Sequence, residues 1–207
     1  MRIVVFGAGG RAGRQAVAEA RRRGHQVTAL VRNPADHGDL PDVRVVAGDV
    51  TDAGSIAQAA AGHDAAISAA VDLSVPPHDF FTASSRALAA GLTKTGVRRL
   101  VVVGLASIMP GASGAALMDQ PGYPDEYRPF YLGHAAGLDE IRASDLDWAY
   151  LAPAGDFDHG GTRTGHYRIA EHGDPASRIS YADFAIALVD EIEAPRHHRA
   201  AASVREV

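Results

Sequence analysis

Cysteine is absent from the 207-residue chain, and lysine occurs once, at Lys94. The first absence excludes disulfides, thiolate catalysis and cysteine-ligated metals, and nothing asks for an oxidising compartment. The second leaves arginine with almost all the positive charge. No apolar run approaches the ~18 residues of a membrane-spanning helix, so no membrane partner is expected. The apolar run 3–6 is too short for a secretory core and no cleavage pattern follows it, which reads as a cytoplasmic protein. Charge is mildly acidic, 20 Lys+Arg against 25 Asp+Glu for a net −5, with no clustered basic face. Nucleic acid is therefore not an expected partner. The densest basic patch, Arg21-Arg22-Arg23, reads as the solvated end of a helix, where cations suit the dipole. Among the ten histidines, no pair has a metal-site spacing with a supporting carboxylate on a helix, so no metal is expected.

What is present is an alternation. Short apolar runs of strand length exchange with helical patterns through the first two-thirds of the chain, as in βαβ units around a parallel sheet. Strands are expected at 3–6, 27–31, 43–47, 65–68, 100–103 and 148–151. Helices are expected at 11–23, stopped by Gly24, at 78–95, closed by Gly96, and at 134–144. Residues 105–133 are rich in glycine and proline with little periodicity, too long for an ordinary connection, and read as a lid or pocket wall. A second irregular stretch, 155–165, leads to a short strand near 166–169. Ser180-Tyr-Ala-Asp183 has the form of a capping box opening a helix that runs to about residue 193. The expectation is one domain over 1–207: an α/β, doubly wound parallel-sheet Rossmann fold with a small irregular C-terminal lobe, in which 105–133 and 155–180 shape the substrate side.

Directly after the first strand stands Gly7-Ala-Gly-Gly10-Arg-Ala-Gly13, opening the first helix. Gly7 permits the tight turn, Gly10 lets backbone approach a pyrophosphate, and Gly13 permits close helix–sheet packing. Helix N–H groups and the dipole then attract the anion. The spacing is G-x-x-G-x-x-G, and Gly9 beside it widens the possible backbone paths, so Gly7, Gly9, Gly10, Arg11, Ala12 and Gly13 are taken together as the cradle. The strand–loop–helix context identifies a dinucleotide site. An NAD site usually has Asp or Glu at the end of the second strand for the ribose 2′-hydroxyl. Here Val31-Arg32-Asn33 stands instead, with Arg11 and Arg14 nearby. Arg32 suits a 2′-phosphate, and NADP(H) is favoured over NAD(H).

Those residues, with Val31-Arg32-Asn33-Pro34, Gly48-Asp49-Val50-Thr51, Asp147-Trp148, Pro153-Ala154, Gly165-x-Tyr167-Arg168 and Ile179-Ser180-Tyr181-x-Asp183-Phe184-Ala185, resemble the atypical short-chain dehydrogenase/reductases. Within them the chain looks most like the NAD(P)H–flavin reductase group, related to biliverdin reductase B and the NmrA-like proteins. The resemblance implies that Asp49 and Val50 flank the adenine, although Asp49 also reads as a turn residue before Asp52. It places Ser68, Ala69 and Ala70 along the dinucleotide. Gly104 to Ser107 would border the nicotinamide, with Pro153 and Ala154 on its other side.

One element of the wider family is missing. Most short-chain dehydrogenases carry Tyr-x-x-x-Lys, in which lysine lowers the tyrosine pKa; here Tyr131-Leu-Gly-His134-Ala135 puts alanine at the lysine position. Alcohol, sugar and epimerase chemistry thereby lose their base. A flavin or quinone takes hydride into a conjugated ring and its proton from water, so the protein needs mainly to stack it on the nicotinamide. The expected activity is hydride transfer from NAD(P)H to such a planar acceptor, the flavin being a substrate rather than a tightly bound group. The alternative is an NmrA-like redox sensor that binds the dinucleotide without turnover and acts on a protein partner. Ser107, His134 and Tyr131 are the catalytic candidates. Phe130, Tyr131 and Phe157 read equally as an aromatic wall or as core, and Tyr167 and Arg168 as structural.

Overall fold

Short apolar runs make strands that a parallel sheet can bury on both faces, and the computed structural model, which describes residues 1–37, 40 and 43–207, builds the centre of its sheet from them. Strands β1 (Arg2–Phe6), β2 (Gln26–Val31), β3 (Arg44–Ala47), β4 (Ala65–Ser68), β5 (Arg99–Val103) and β6 (Asp147–Pro153) are joined by α1 (Arg11–Arg22), α2 (Ala53–Ala60), α3 (Pro77–Thr95) and α4 (Arg128–Arg142). The C-terminal part adds β7 (Asp156–Asp158), β8 (Arg168–Ala170), β9 (Arg178–Ser180), α5 (Tyr181–Glu193) and β10 (Ala200–Arg205). The main sheet runs β3-β2-β1-β4-β5-β6-β10-β8, with β8 antiparallel at the edge, and β7 pairs with β9 in a separate ribbon. The order reverses between β1 and β4, the switch point at which open α/β sheets bind ligands. Helices α1 and α5 cover one face and α2, α3 and α4 the other, each over its own apolar cluster. The doubly wound Rossmann expectation is met.

Four expectations need correction. Helix α4 starts at Arg128, six residues before the expected 134, so the irregular stretch is shorter than 105–133. Helix α2 and strand β10 were not anticipated. The 155–165 stretch contains β7, whose Phe157 stacks on Tyr181 at 4.2 Å and meets Phe184 edge-on, making that ring a packing residue of the lobe. The arginine run is not a solvated helix end throughout. The Arg23 guanidinium is mostly buried and pairs with Glu19, Asp190 and Glu193, while Arg22 pairs with Glu19, so the run clamps α1 to α5.

Helix ends follow their chemistry. Asp52 caps α2 by accepting from the N–H groups of Gly54 and Ser55, and Gly96 closes α3 in the left-handed region at φ 76°. Ser180 caps α5 by accepting from the Asp183 N–H. The buried Asp183 carboxylate accepts from the Ser180 hydroxyl and from the N–H groups of Thr164 and Gly165. These hydrogen bonds hold its pKa below the usual carboxylate range against the opposing effect of burial. Tyr167 donates to Asp190 at 2.7 Å, in keeping with a structural role. Among the described residues, no helix is long and apolar enough to cross a membrane.

Candidate functional site

At the carboxyl end of β1 the three glycines meet three different demands. Gly7 sits at φ +74°, and a Cβ there would lie 2.5 Å from the Ala70 Cα. A Cβ on Gly13 would lie 2.2 Å from the Gly7 carbonyl oxygen, so α1 packs on the turn with no room for a side chain. At Gly10 a Cβ would meet only the Gly7 oxygen, at 3.5 Å, so the backbone there faces open space. Gly10 is also the N-cap of α1 and supplies no side-chain cap. The first-turn N–H groups therefore retain their capacity for an anion, which fits the pyrophosphate of a dinucleotide. Gly9 has another function: a Cβ there would strike the His37 ring, whose Nδ1 meets Arg14 Nη2 at 3.0 Å while Arg14 Nε donates to the Gly9 carbonyl.

Beside the cradle opens a cleft of about 840 Å³. Gly7, Gly9 and Gly10 form its floor, Arg32 and Asp49-Val50 one wall, and Ala69-Ala70 with Asp72 the other. Asp49 is both things the sequence allowed, a cleft residue and a turn residue whose carboxylate accepts from the Thr51 N–H and hydroxyl. Arg32 does not stand alone. Its Nη1 meets Asp72 Oδ2 at 2.5 Å, so the carboxylate missing from the end of β2 is delivered from the opposite wall. Sequence reasoning missed Asp72, because nothing in the local pattern links positions 40 residues apart.

The comparisons with known proteins agree with this geometry. A family model described as NAD(P)H-binding matches residues 7–195. The chain belongs to the NAD(P)H-binding family. Within this family it is of the atypical short-chain dehydrogenase/reductase type, and its cofactor is a nicotinamide dinucleotide. It is 37% identical over 207 residues to YwnB of Bacillus subtilis, covering 95% of this chain and 94% of that one. A solved structure of a putative exported protein from Burkholderia pseudomallei superposes with a TM-score of 0.85 at 40% identity, over 99% of each chain. Another, of a putative NADH-flavin reductase from Streptococcus pneumoniae, gives 0.86 at 32% identity over 100% of each.

In this member of the NAD(P)H-binding family, the other candidate residues divide into three groups. Ser68 ends β4 beside Ala69 and Ala70, but its side chain faces a cavity of about 30 Å³ between the sheet, α3 and α4, together with His134 and Tyr150. That volume suits a single water, not an acceptor. His134 packs its ring 3.9 Å from that of Phe81 and 4.9 Å from that of Phe130, and burial pushes its pKa down to about 3. Tyr150 accepts from the Leu105 N–H at 3.0 Å, and its hydroxyl shares a hydrogen bond with His134 Nδ1 at 3.1 Å. His134 is thereby linked, as a neutral ring, to the segment that follows β5. Gly104 belongs to the same assembly, since a Cβ there would lie 2.2 Å from the Tyr150 ring.

The second group is a hydroxyl cluster. Ser107, buried in the turn after β5, meets the Tyr123 hydroxyl at 2.9 Å, and Tyr123 packs edge-on against Tyr131. Burial raises the Tyr131 pKa against a hydrogen bond with Ser107 that lowers it, so this hydroxyl stays protonated. Pro153 and Ala154 form the third group, buried at the end of β6, where Ala154 donates to Val204 and accepts from the Asp174 N–H. Ala12 lies in the first turn of α1, and Arg11 there contacts His159 of the lobe. The segments 105–133 and 155–180 meet where Gly173 donates to the Pro110 carbonyl.

Removing the Tyr150 hydroxyl tests this inner assembly. Tyr150→Phe leaves the Leu105 N–H and His134 Nδ1 without their partner, and is expected to cost about 2 kcal/mol in urea unfolding. A loss under ~0.5 kcal/mol would show that the hydroxyl does not hold the segment.

Proposed function

We propose that the protein is an NAD(P)H-dependent reductase that passes hydride to a flavin, quinone or similar planar acceptor, preferring NADP(H) to NAD(H). What carries this is the open face of Gly10 on the cleft, combined with an alanine where the proton relay needs lysine. A bound reduced nicotinamide supplies the hydride. The chain's own residues bind and orient. The N–H groups of Arg11, Ala12 and Gly13 hold the pyrophosphate, Arg32 the 2′-phosphate, and Asp49 and Val50 the adenine. Ala69 and Ala70 carry the dinucleotide toward Gly104–Ser107, with Pro153 and Ala154 opposite. Ser107 and Tyr131 hold the acceptor by neutral hydrogen bonds, and the segments 105–133 and 155–180 exclude water around it. A planar conjugated acceptor is the class that this set suits, because it needs stacking rather than a base.

NADPH oxidation by the purified protein, followed optically with and without FMN or a simple quinone and with NADH as control, decides the matter. Saturable oxidation that prefers NADPH is the expected result. One observation favours a second reading: neither His134 nor Tyr131 has a pKa moved toward neutrality. If NADPH binds but no acceptor speeds its loss, the protein is a redox sensor acting on a protein partner. Arg32→Glu is expected to weaken NADPH at least about tenfold more than NADH. Equal losses would refute the role given to Arg32.

A further inference from the structure

Strands β2 and β4 lie on either side of β1, with Phe6 in register with Leu30 on one side and Ser68 on the other. Neighbouring strands stand about 4.8 Å apart, so an ion pair joining Arg32, just past β2, to Asp72, just past β4, passes over the carboxyl end of β1. That is the path a dinucleotide takes at the switch point. The two partners are unequal. The Asp72 carboxylate is fixed by the Ser74 N–H at 2.9 Å and the Ser74 hydroxyl at 2.6 Å, and its side chain is 15% exposed. The Arg32 side chain is 71% exposed and free to swing. Among the described residues lining the cleft, Arg32 is the one arginine or lysine, against Asp36, Asp49, Asp72 and Asp79. Whether the cleft presents any free guanidinium therefore depends on Asp72.

We propose that Asp72 is a specificity-determining residue: its carboxylate holds Arg32 across the groove, and a cofactor 2′-phosphate must displace it, whereas a 2′-hydroxyl leaves the pair intact. This rests on the reading that the Arg32 end of the cleft receives the adenosine ribose. A phosphate dianion outbids a carboxylate for a guanidinium, but the gain is reduced by what the lost pair contributed. Asp72 thus narrows the preference for NADPH that Arg32 alone would confer. On this reading one cleft can accept both dinucleotides: the arginine serves the phosphate when one is present and is neutralised when it is not.

Calorimetric titration of NADPH and NADH into the parent protein, Asp72→Asn, Arg32→Gln and the double variant tests this directly. Asp72→Asn is expected to tighten NADPH about tenfold and to change NADH less than about twofold, with the NADPH gain shrinking as salt is added. In the Arg32→Gln background the gain should vanish. Ser74→Ala, which removes the hydroxyl anchor and keeps the backbone N–H, should move NADPH in the same direction by less. An unchanged NADPH affinity in Asp72→Asn overturns the proposal. So does a loss confined to NADH, which would make Asp72 the acceptor for a ribose hydroxyl. A parent protein that binds neither dinucleotide would overturn the cofactor reading itself, a result distinct from either. An unaltered thermal midpoint in Asp72→Asn separates specificity from a structural role, since an ion pair whose arginine is this exposed contributes little to stability.

Discussion

Gly13→Ala is expected to cost the protein both dinucleotide affinity and stability, while Gly10→Ala is expected to cost affinity alone. At Gly13 the new methyl would overlap the Gly7 carbonyl oxygen at 2.2 Å and crowd the Ala8 Cα at 2.9 Å. Both neighbours are backbone of the turn itself, so relief requires α1 to move off β1. Overpacking of this kind costs about 1–3 kcal/mol, which for a chain of this size lowers the thermal midpoint by roughly 3–10 °C. The cradle distorts with it. At Gly10 the backbone is extended at φ −77° and ψ 170°, which alanine adopts readily, and the methyl meets one oxygen at ordinary contact distance. Its melting temperature should stay within about 2 °C of the parent, while NADPH affinity falls tenfold or more because the methyl occupies the anion's approach. Calorimetry and thermal unfolding on the two variants give the comparison. Retained NADPH affinity in Gly10→Ala would show that the pyrophosphate lies elsewhere.

That contrast also marks what was legible from residues alone. Strands β1, β2, β4, β5 and β6 could be read because both of their faces are largely covered, which makes their sequences mostly apolar runs, whereas the edge strand β3 showed itself by its valine pair. The first six residues of α4, 128–133, were missed because Pro129 and Gly133 read locally as loop punctuation, while the rest of the helix, with Gly137 inside it, was expected. In the structure a Cβ at Gly133 would lie 2.8 Å from the Pro77 backbone, and one at Gly137 would lie 3.0 Å from the Phe81 carbonyl. These glycines let α3 and α4 approach closely, a demand set by tertiary packing and invisible to a local pattern. Strand β10 is built largely from alanine, a weak strand former, and owes its state to parallel pairing with β6. Helix α2 offers one large apolar residue, Ile56, and its clearest signal was the Asp52 cap. At the site, the glycine cradle was legible because its steric demands are local. The Arg32–Asp72 pair was not, because it joins two loops across the sheet. His134 illustrates the same limit, since its burial between Phe81 and Phe130 is decided by the meeting of two helices.

Acidification is expected to destabilise the protein in two overlapping stages, assignable to His134 and Glu19. His134 is neutral in the fold, with burial holding its pKa at about 3 against an ordinary 6.5. The unfolded chain takes up that proton first, so stability complete above pH 6.5 is lost progressively as pH falls toward 3. Glu19 is the opposite case, a charged group that the fold favours. Hydrogen bonds from Arg22 and Arg23 outweigh the cost of burial and hold its pKa at about 2 against 4.5. Its contribution is complete above pH 4.5 and gone once pH passes below 2. Because the Arg22 side chain is 55% exposed, solvent screens part of this attraction. The net contribution at neutral pH is therefore about 2 kcal/mol, below the full shift converted to energy. Glu19→Gln should lose that amount at pH 7 in urea unfolding, with a deficit against the parent that closes between pH 4.5 and 2. His134→Gln, which cannot titrate, should flatten the decline between pH 6.5 and 4.5 and leave the lower stage in place. A parent midpoint that does not change from pH 7 to 5 would refute the neutral, buried state of His134. A Glu19→Gln deficit that stays constant down to pH 2 would show that its carboxylate charge does not hold α1 to α5.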